Sequence, residues 1–346
     1  MSLQNIYINN LRNISDKRFA LHPHINVING LNGSGKTAFL EALSILSLAR
    51  SFRTRELLSL VTHTQQTLNV HAETVSGYTI SVQKSLKKAT AAYINKTACA
   101  TISELSRLLP MQIFYQDIFE IIDASPAVRR SVLDWGLFYV VNDYHDILKQ
   151  YSRALQQRNI LLKQQAQTNQ FLPWNKILST LAIQIDNFRH GYIVQLNQIF
   201  QEILAQLTTI TCSLEYYKGW DRYNTQQSLE MLLSDSLSID LKYTYTRIGA
   251  HQAELLFVSD NYKVKNYLSR GQQKMILFAL KLAQSCLIKQ NCIFLMDDLF
   301  TELDEVHQIK LMHYINNMSG QFFLTSTGDK NIKDLLPSCD YMNIKF

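Results

Sequence analysis

The sequence predicts an α/β protein whose head is split along the chain, with an α-helical arm inserted between the two halves. Three observations carry this reading. A short β-prone run, residues 25–28, enters a glycine-rich turn, and a helix-forming pattern follows to about Ala49. Residues 144–203 carry apolar side chains at alternating four- and three-residue steps, the seam of packed helices. Beyond residue 250 strand and helix patterns alternate again, and an apolar run ends in two adjacent carboxylates, Asp297 and Asp298.

Taken in order, residues 6–8, 19–21 and 25–28 offer short strands before the turn. Residues 67–75, 78–83 and 89–94 then read as an antiparallel meander with turns at Gly77 and at the Lys84, Lys87, Lys88 cluster, a solvated hairpin tip. Residues 111–115 are the next core strand. In the arm, Tyr144, Leu148, Tyr151, Leu155 and Leu162 mark one helix, its seam broken by Arg158. Leu178, Leu181, Ile185, Phe188, Tyr192, Leu196, Ile199 and Ile203 mark a second, so the pair should pack as a hairpin. Residues 254–258 and 263–267 alternate like a hairpin, 271–288 form an amphipathic helix, 292–296 a buried strand, 305–317 a helix and 321–325 another buried strand. The expected division is residues 1–124 and 241–346 for the two halves of the head and 125–240 for the arm.

Composition narrows the class. The 346 residues suffice for two structural units, and 34 basic against 28 acidic residues leave +6, compatible with a polyanion partner without requiring one. Five scattered cysteines, none in C-x-x-C spacing, argue against a disulfide framework or a zinc site. No secretory signal opens the chain and no apolar run has membrane-span length, so a cytoplasmic protein with no membrane partner is expected.

Chemistry concentrates in the turn Gly30, Leu31, Asn32, Gly33, Ser34, Gly35, Lys36, Thr37, which matches the phosphate-binding loop G-x-x-x-x-G-K-[ST] in its required strand–turn–helix setting. Glycines let the backbone approach a phosphate, and successive N–H groups at the helix start point at the anion. Lys36 should face solvent and reach the β- and γ-phosphates of ATP, with Thr37 on Mg²⁺. The apolar run before Asp297 and Asp298 has the Walker B pattern: Asp297 would hold the Mg²⁺ shell and Asp298 would polarise the attacking water. Ser269, Gly271 and Gln272 open a helix and form a second anion site. One head does not need two γ-phosphate sites, so this one should serve the nucleotide of another subunit in an ATP-dependent homodimer.

The S-x-G-Q element resembles the signature of ABC-type ATPase heads of chromosome and repair proteins. Residues 11–13, 30–53, 125–135, 249–255, 268–274 and 297–304 together resemble the RecF family of bacterial recombination mediators. The resemblance implies a slow, DNA-stimulated ATPase acting in repair, replication and the SOS response. It implies binding to single-stranded and gapped double-stranded DNA, and cooperation with RecR and RecO, and indirectly RecA. By the same resemblance Gln116 would sense Mg²⁺ and water, Asp304 would line the dimer seam, and Thr325, Ser326 and Thr327 would occupy the switch position. Arg129 and Arg130 resemble the arginine pair at the junction of head and arm. Lys149, Arg153, Arg158 and Lys163 decorate the first arm helix, by default as a solvated face and more sharply as a nucleic-acid track; Arg129, Arg130, Lys149, Arg153 and Arg158 are the candidate DNA-phosphate contacts. Asp298 stands where transporter-type heads carry Glu, which implies slow turnover. A structural clamp with negligible hydrolysis and a transporter ATPase subunit are the alternatives.

Overall fold

The computed structural model describes residues 1–223, 225–260, 262–298, 303–326 and 340–346, without the side chains of Gln116 and Asp117. It divides into two compact units, Met1–Ile118 with Ile288–Phe346, and Phe119–Leu287.

The first unit is built on two sheets. A five-stranded parallel sheet runs Tyr341–Lys345, Ile25–Asn29, Gln321–Ser326, Ile293–Met296, Met111–Phe114. Its inner strands are buried along nearly their whole length, as strands covered on both faces must be. A six-stranded antiparallel sheet runs Ile14–Ala20, Leu3–Leu11, Thr67–Thr74, Thr79–Ser85, Ala91–Ile94, Thr97–Ala98. There the burial alternates residue by residue, one face inward. The helix Lys36–Leu48 is buried along nearly its whole length, and its Phe39, Leu40, Leu43 and Leu46 share one core with both sheets. Lys84 is not part of a solvated tip. Its ammonium donates to the carbonyl of Ala49 at 2.8 Å, where that helix ends in a left-handed residue.

The terminal strand Tyr341–Lys345 carries no strong apolar signal and was not expected; it pairs in parallel with Ile25–Asn29. Phe346 follows it, donating its N–H to Asn29 O and setting its ring against Phe19 and Phe39 at 5.3 and 5.9 Å.

The second unit is mainly helical. The expected hairpin is Tyr144–Lys163 and Leu172–Leu207, joined through the turn Thr168–Phe171, and the helix Arg270–Cys286 packs along Leu172–Leu207. A small sheet places Glu254–Ser259 between Ser213–Tyr217 and Tyr262–Lys263. Residues 264–267, expected as strand, form a helical turn. Residues 241–287 thus pack with the helices, so the compact units do not coincide with the segments expected to divide at 124 and 240.

Two of the candidate DNA-phosphate contacts are engaged within the unit, Arg158 fully buried and Arg129 partly so. Arg158 is fully buried, donating to Asp240 at 2.8 Å, Thr246 at 2.7 Å, Asn175 and the Leu233 carbonyl. Arg129 grips Glu254 through two hydrogen bonds and the carbonyls of Ile122 and Ala124. Arg158 therefore presents nothing to a phosphate, and Arg129 is already committed to Glu254. Arg130 is half-buried and donates to Ala253 O, whereas Lys149, Arg153 and Lys163 are exposed. The residues 249–254 block is therefore held from several helices, with Arg189 also donating to Ala250 O and Tyr151 bonded to His251.

His251 gives this unit a pH dependence. Its Nε2 faces the Thr246 carbonyl at 2.9 Å and its Nδ1 the Tyr151 hydroxyl at 2.7 Å, so the neutral ring donates from Nε2 and accepts at Nδ1. Burial lowers its pKa from 6.5 to about 4. The unfolded chain then binds the proton first, so stability is full above pH 6.5 and falls as pH drops toward 4, by ~2 kcal/mol at pH 5. Urea unfolding at pH 7.5 and 5 should show this loss, and a smaller one in His251→Gln; equal losses in both proteins would assign it elsewhere.

Candidate functional site

The parallel sheet brings four strand ends to one edge, where α/β sheets hold their ligands. The register aligns Asn29 with Ser326, and Met296 with both Leu324 and Phe114. The next residues along, Gly30, Asp297 and Tyr115, therefore emerge together beside Thr325.

The glycine loop has a backbone only glycine tolerates well. Gly33 and Gly35 have φ of 81° and 120°, and a Cβ on Gly30 would lie 2.5 Å from Ser34 Oγ. Asn13 braces the loop from the turn between Leu3–Leu11 and Ile14–Ala20 of the antiparallel sheet, its amide donating to the carbonyls of Gly33 and Ser34 at 3.2 and 3.0 Å. It follows Arg12, a left-handed residue whose guanidinium grips the buried Glu41 of the loop helix; Ser51 adds a 2.6 Å bond to the same carboxylate. Lys36 does not face solvent. It is 7% exposed, and its ammonium donates to Gly30 O at 2.7 Å and Leu31 O at 3.1 Å, closing the loop on itself.

Opposite the loop, Thr37 Oγ1 lies 3.2 and 3.3 Å from the two Asp297 oxygens, and Thr325 donates to Asp297 at 2.9 Å. Burial is the main cause that raises the Asp297 pKa, with the Asp298 charge adding to it. Asp298 turns the chain at φ 48°, its N–H donating to Thr325 Oγ1 at 2.8 Å. A pocket of about 320 Å³ opens over these groups, lined among others by Asn13, Gly35, Lys36, Thr37, Arg53 and Asp298.

ATP with Mg²⁺ fits this donor set. A Cβ on Gly30 or Gly35 would come within 2.5 or 3.1 Å of a neighbour, Ser34 Oγ is buried without a hydrogen-bond partner among the described residues, and Thr37 with Asp297 supplies the hard oxygens Mg²⁺ prefers. The Lys36 ammonium, now donating to the Gly30 and Leu31 carbonyls, is the donor that would turn to a phosphate oxygen.

Ser269 and Gln272 open the helix Arg270–Cys286 in the second unit as a reciprocal cap: Gln272 N–H donates to Ser269 Oγ at 3.4 Å and Ser269 N–H to Gln272 Oε1 at 2.9 Å. Both are exposed, with Gly271 beside them. Asp304 caps the helix Glu305–Asn317, accepting from the His307 N–H, and this bond leads the causes that hold its carboxyl below the usual range. Gln116 begins a short turn after Met111–Phe114, and its side chain lies outside the described residues, as does Thr327. Asn13, the Arg12–Glu41 pair and Arg53 had no assigned role in the sequence reading. A lone carboxylate within the apolar run of the loop helix was the available signal for Glu41.

A parallel sheet with a P-loop and a paired-carboxylate strand, interrupted in sequence by a helical unit with an S-x-G-Q helix start, defines an ABC-type ATPase head of the SMC-like kind. Solved structures agree with the fold: the recombination mediator protein RecF with ATP, in the RecFOR pathway, superposes with TM-score 0.82 at 24% identity, covering 95% of this chain and 93% of that one. An Smc head bound to the C-winged helix domain of ScpA gives TM-score 0.59 at 16% identity, covering 95% and 90%. The family model for the RecF/RecN/SMC N terminal domain matches residues 2–335. The DNA replication and repair protein RecF of Francisella tularensis subsp. novicida (strain U112) is 32% identical over 99% of both chains, as is that of Francisella tularensis subsp. tularensis (strain SCHU S4 / Schu 4). The chain belongs to the RecF family of DNA replication and repair proteins.

Proposed function

We propose that this chain is a cytoplasmic, ATP-dependent DNA-binding protein of recombinational repair. It binds single-stranded and gapped DNA, dimerises on ATP, and helps RecO and RecR load RecA at gaps. The observation that carries the nucleotide part is the convergence of Thr37, Asp297 and Thr325 beside a glycine-built anion cradle. Its DNA and partner parts rest on family membership.

Lys36 and the loop N–H groups hold the phosphates, and Thr37 and Asp297 hold the cation. When bound, Mg²⁺ offsets charge on the phosphate oxygens. Asp298, at the pocket wall, accepts a proton from the attacking water. Ser269, Gly271 and Gln272 close over the γ-phosphate of a second subunit, so nucleotide joins two heads and its hydrolysis frees them. Among the described residues no helix is long and apolar enough to cross a membrane.

The test is a titration of fluorescent ATP and of single-stranded, duplex and gapped DNA against the unchanged chain and Lys36→Ala. Loss of the charged phosphate contact should weaken ATP roughly 10- to 100-fold and remove any ATP-dependent gain in DNA affinity. Equal ATP affinity in both proteins would overturn the assignment of this loop.

A further inference from the structure

The helical unit holds a second concentration of chemistry, in the hexapeptide Lys242-Tyr243-Thr244-Tyr245-Thr246-Arg247. It begins in the last turn of the helix Leu237–Tyr243, whose Leu237 and Leu241 pack on Leu162 and Phe171 at the turn end of the long hairpin. Gln165 donates to the Leu241 carbonyl at 3.1 Å. The chain then reverses at Thr244, φ 61°.

One residue of the six points inward. Thr246 is buried; its N–H and hydroxyl each donate to Asn159 Oδ1 at 2.8 Å, and its oxygen accepts from Arg158. The Arg247 N–H donates to Asp240, the carboxylate that pairs with Arg158. The outer residues are thus mounted on the rigid centre of the unit. All five are exposed, Tyr243 by 55% and Tyr245 by 47%. The two rings stand 6.1 Å apart at 64°, and the Arg247 guanidinium lies 4.9 Å from the Tyr243 centroid. Both charged side chains among residues 241–248 are cations.

We infer that Tyr243, Tyr245, Lys242 and Arg247 form a stacking platform for the bases of single-stranded nucleic acid. Rings presented on a fixed backbone can receive a base without first being ordered, and neighbouring cations take the adjacent phosphates. An arginine already stacked on one ring extends the flat surface that a base meets. A duplex keeps its base faces covered, so this chemistry selects unpaired bases. Tyrosine and arginine also anchor protein interfaces, but such anchors sit in desolvated pockets; here Lys242 and Thr244 keep the surroundings polar and solvated. The inference rests on the DNA-binding reading above and adds to it a site on the arm.

The full chain with ATP is titrated with a labelled single-stranded thymidine oligonucleotide and with an abasic oligomer of the same length. Tyr243→Ala/Tyr245→Ala should bind the thymidine strand roughly 5- to 100-fold more weakly, from the usual contribution of aromatic stacking. It should bind the abasic strand and ATP as the unchanged chain does, and Tyr243→Phe/Tyr245→Phe should retain thymidine affinity. An alanine variant that matches the unchanged chain on the thymidine strand overturns the platform alone, and so does one that loses both strands equally. If the unchanged chain binds neither strand nor any gapped duplex, the DNA-binding reading itself fails, and the platform with it.

Discussion

Asp298→Asn should bind ATP as tightly as the unchanged chain and turn it over ~10²–10⁴-fold more slowly, the usual effect of removing a general base. The two carboxylates are not equivalent. Asp297 is held between Thr37 and Thr325, the posture of a cation ligand. Asp298 lines the pocket from a left-handed residue whose N–H is fixed by Thr325. Asparagine adopts that conformation readily, so the substitution removes the charge and leaves the turn intact. Phosphate release under saturating ATP, read beside a nucleotide titration, separates the two effects. Normal turnover would take the base role from Asp298, and Gln116, as a residue that orients the water, would be tested next. Negligible turnover by the unchanged chain would instead favour a structural clamp.

Arg158→Met should destabilise the fold by ~3–5 kcal/mol, because it strands the fully buried Asp240 without its partner. Arg158→Met/Asp240→Leu should recover most of that loss in urea unfolding, since an apolar pair needs no compensation there. A residue of a surface DNA track would show the opposite pattern, with unchanged stability and weakened DNA binding. A cost below about 1 kcal/mol, the range of exposed ion pairs, would overturn the buried-hub assignment.

The features legible in the sequence are those written in short stretches. The glycine loop declares its own backbone, and the apolar strands ending at Met296 and Ser326 could be read from hydrophobicity alone. Arg158 shows where this stops. It lies seven residues after Tyr151 and fourteen after Tyr144, both buried, so spacing alone put it on the inward face. The expectation that an arginine belongs in water prevailed because Asp240, Thr246 and Asn175, which make its burial tolerable, are 82, 88 and 17 residues away. Lys84 was misread for the same reason, its acceptor being a helix-end carbonyl from another part of the chain. Asn13 bracing the glycine loop and Gln321 bonding both backbone groups of Leu3 are likewise products of the closed fold. No local pattern encodes them.

The head draws its parallel sheet from residues as far apart as Ile25 and Lys345, whereas the helical unit is one continuous stretch, Phe119–Leu287. On the ribosome the two therefore mature in a fixed order. When residue 287 has emerged, every partner inside the helical unit is present and it can fold. At that moment the strand Ile25–Asn29 still has two unpaired edges, because Gln321–Ser326 and Tyr341–Lys345, which flank it, have not emerged. The nucleotide loop hangs from that strand, and one of its supports, the Phe346 ring 3.2 Å from where a Gly35 Cβ would be, arrives later still. A nascent chain thus carries a finished arm before it has a working phosphate site.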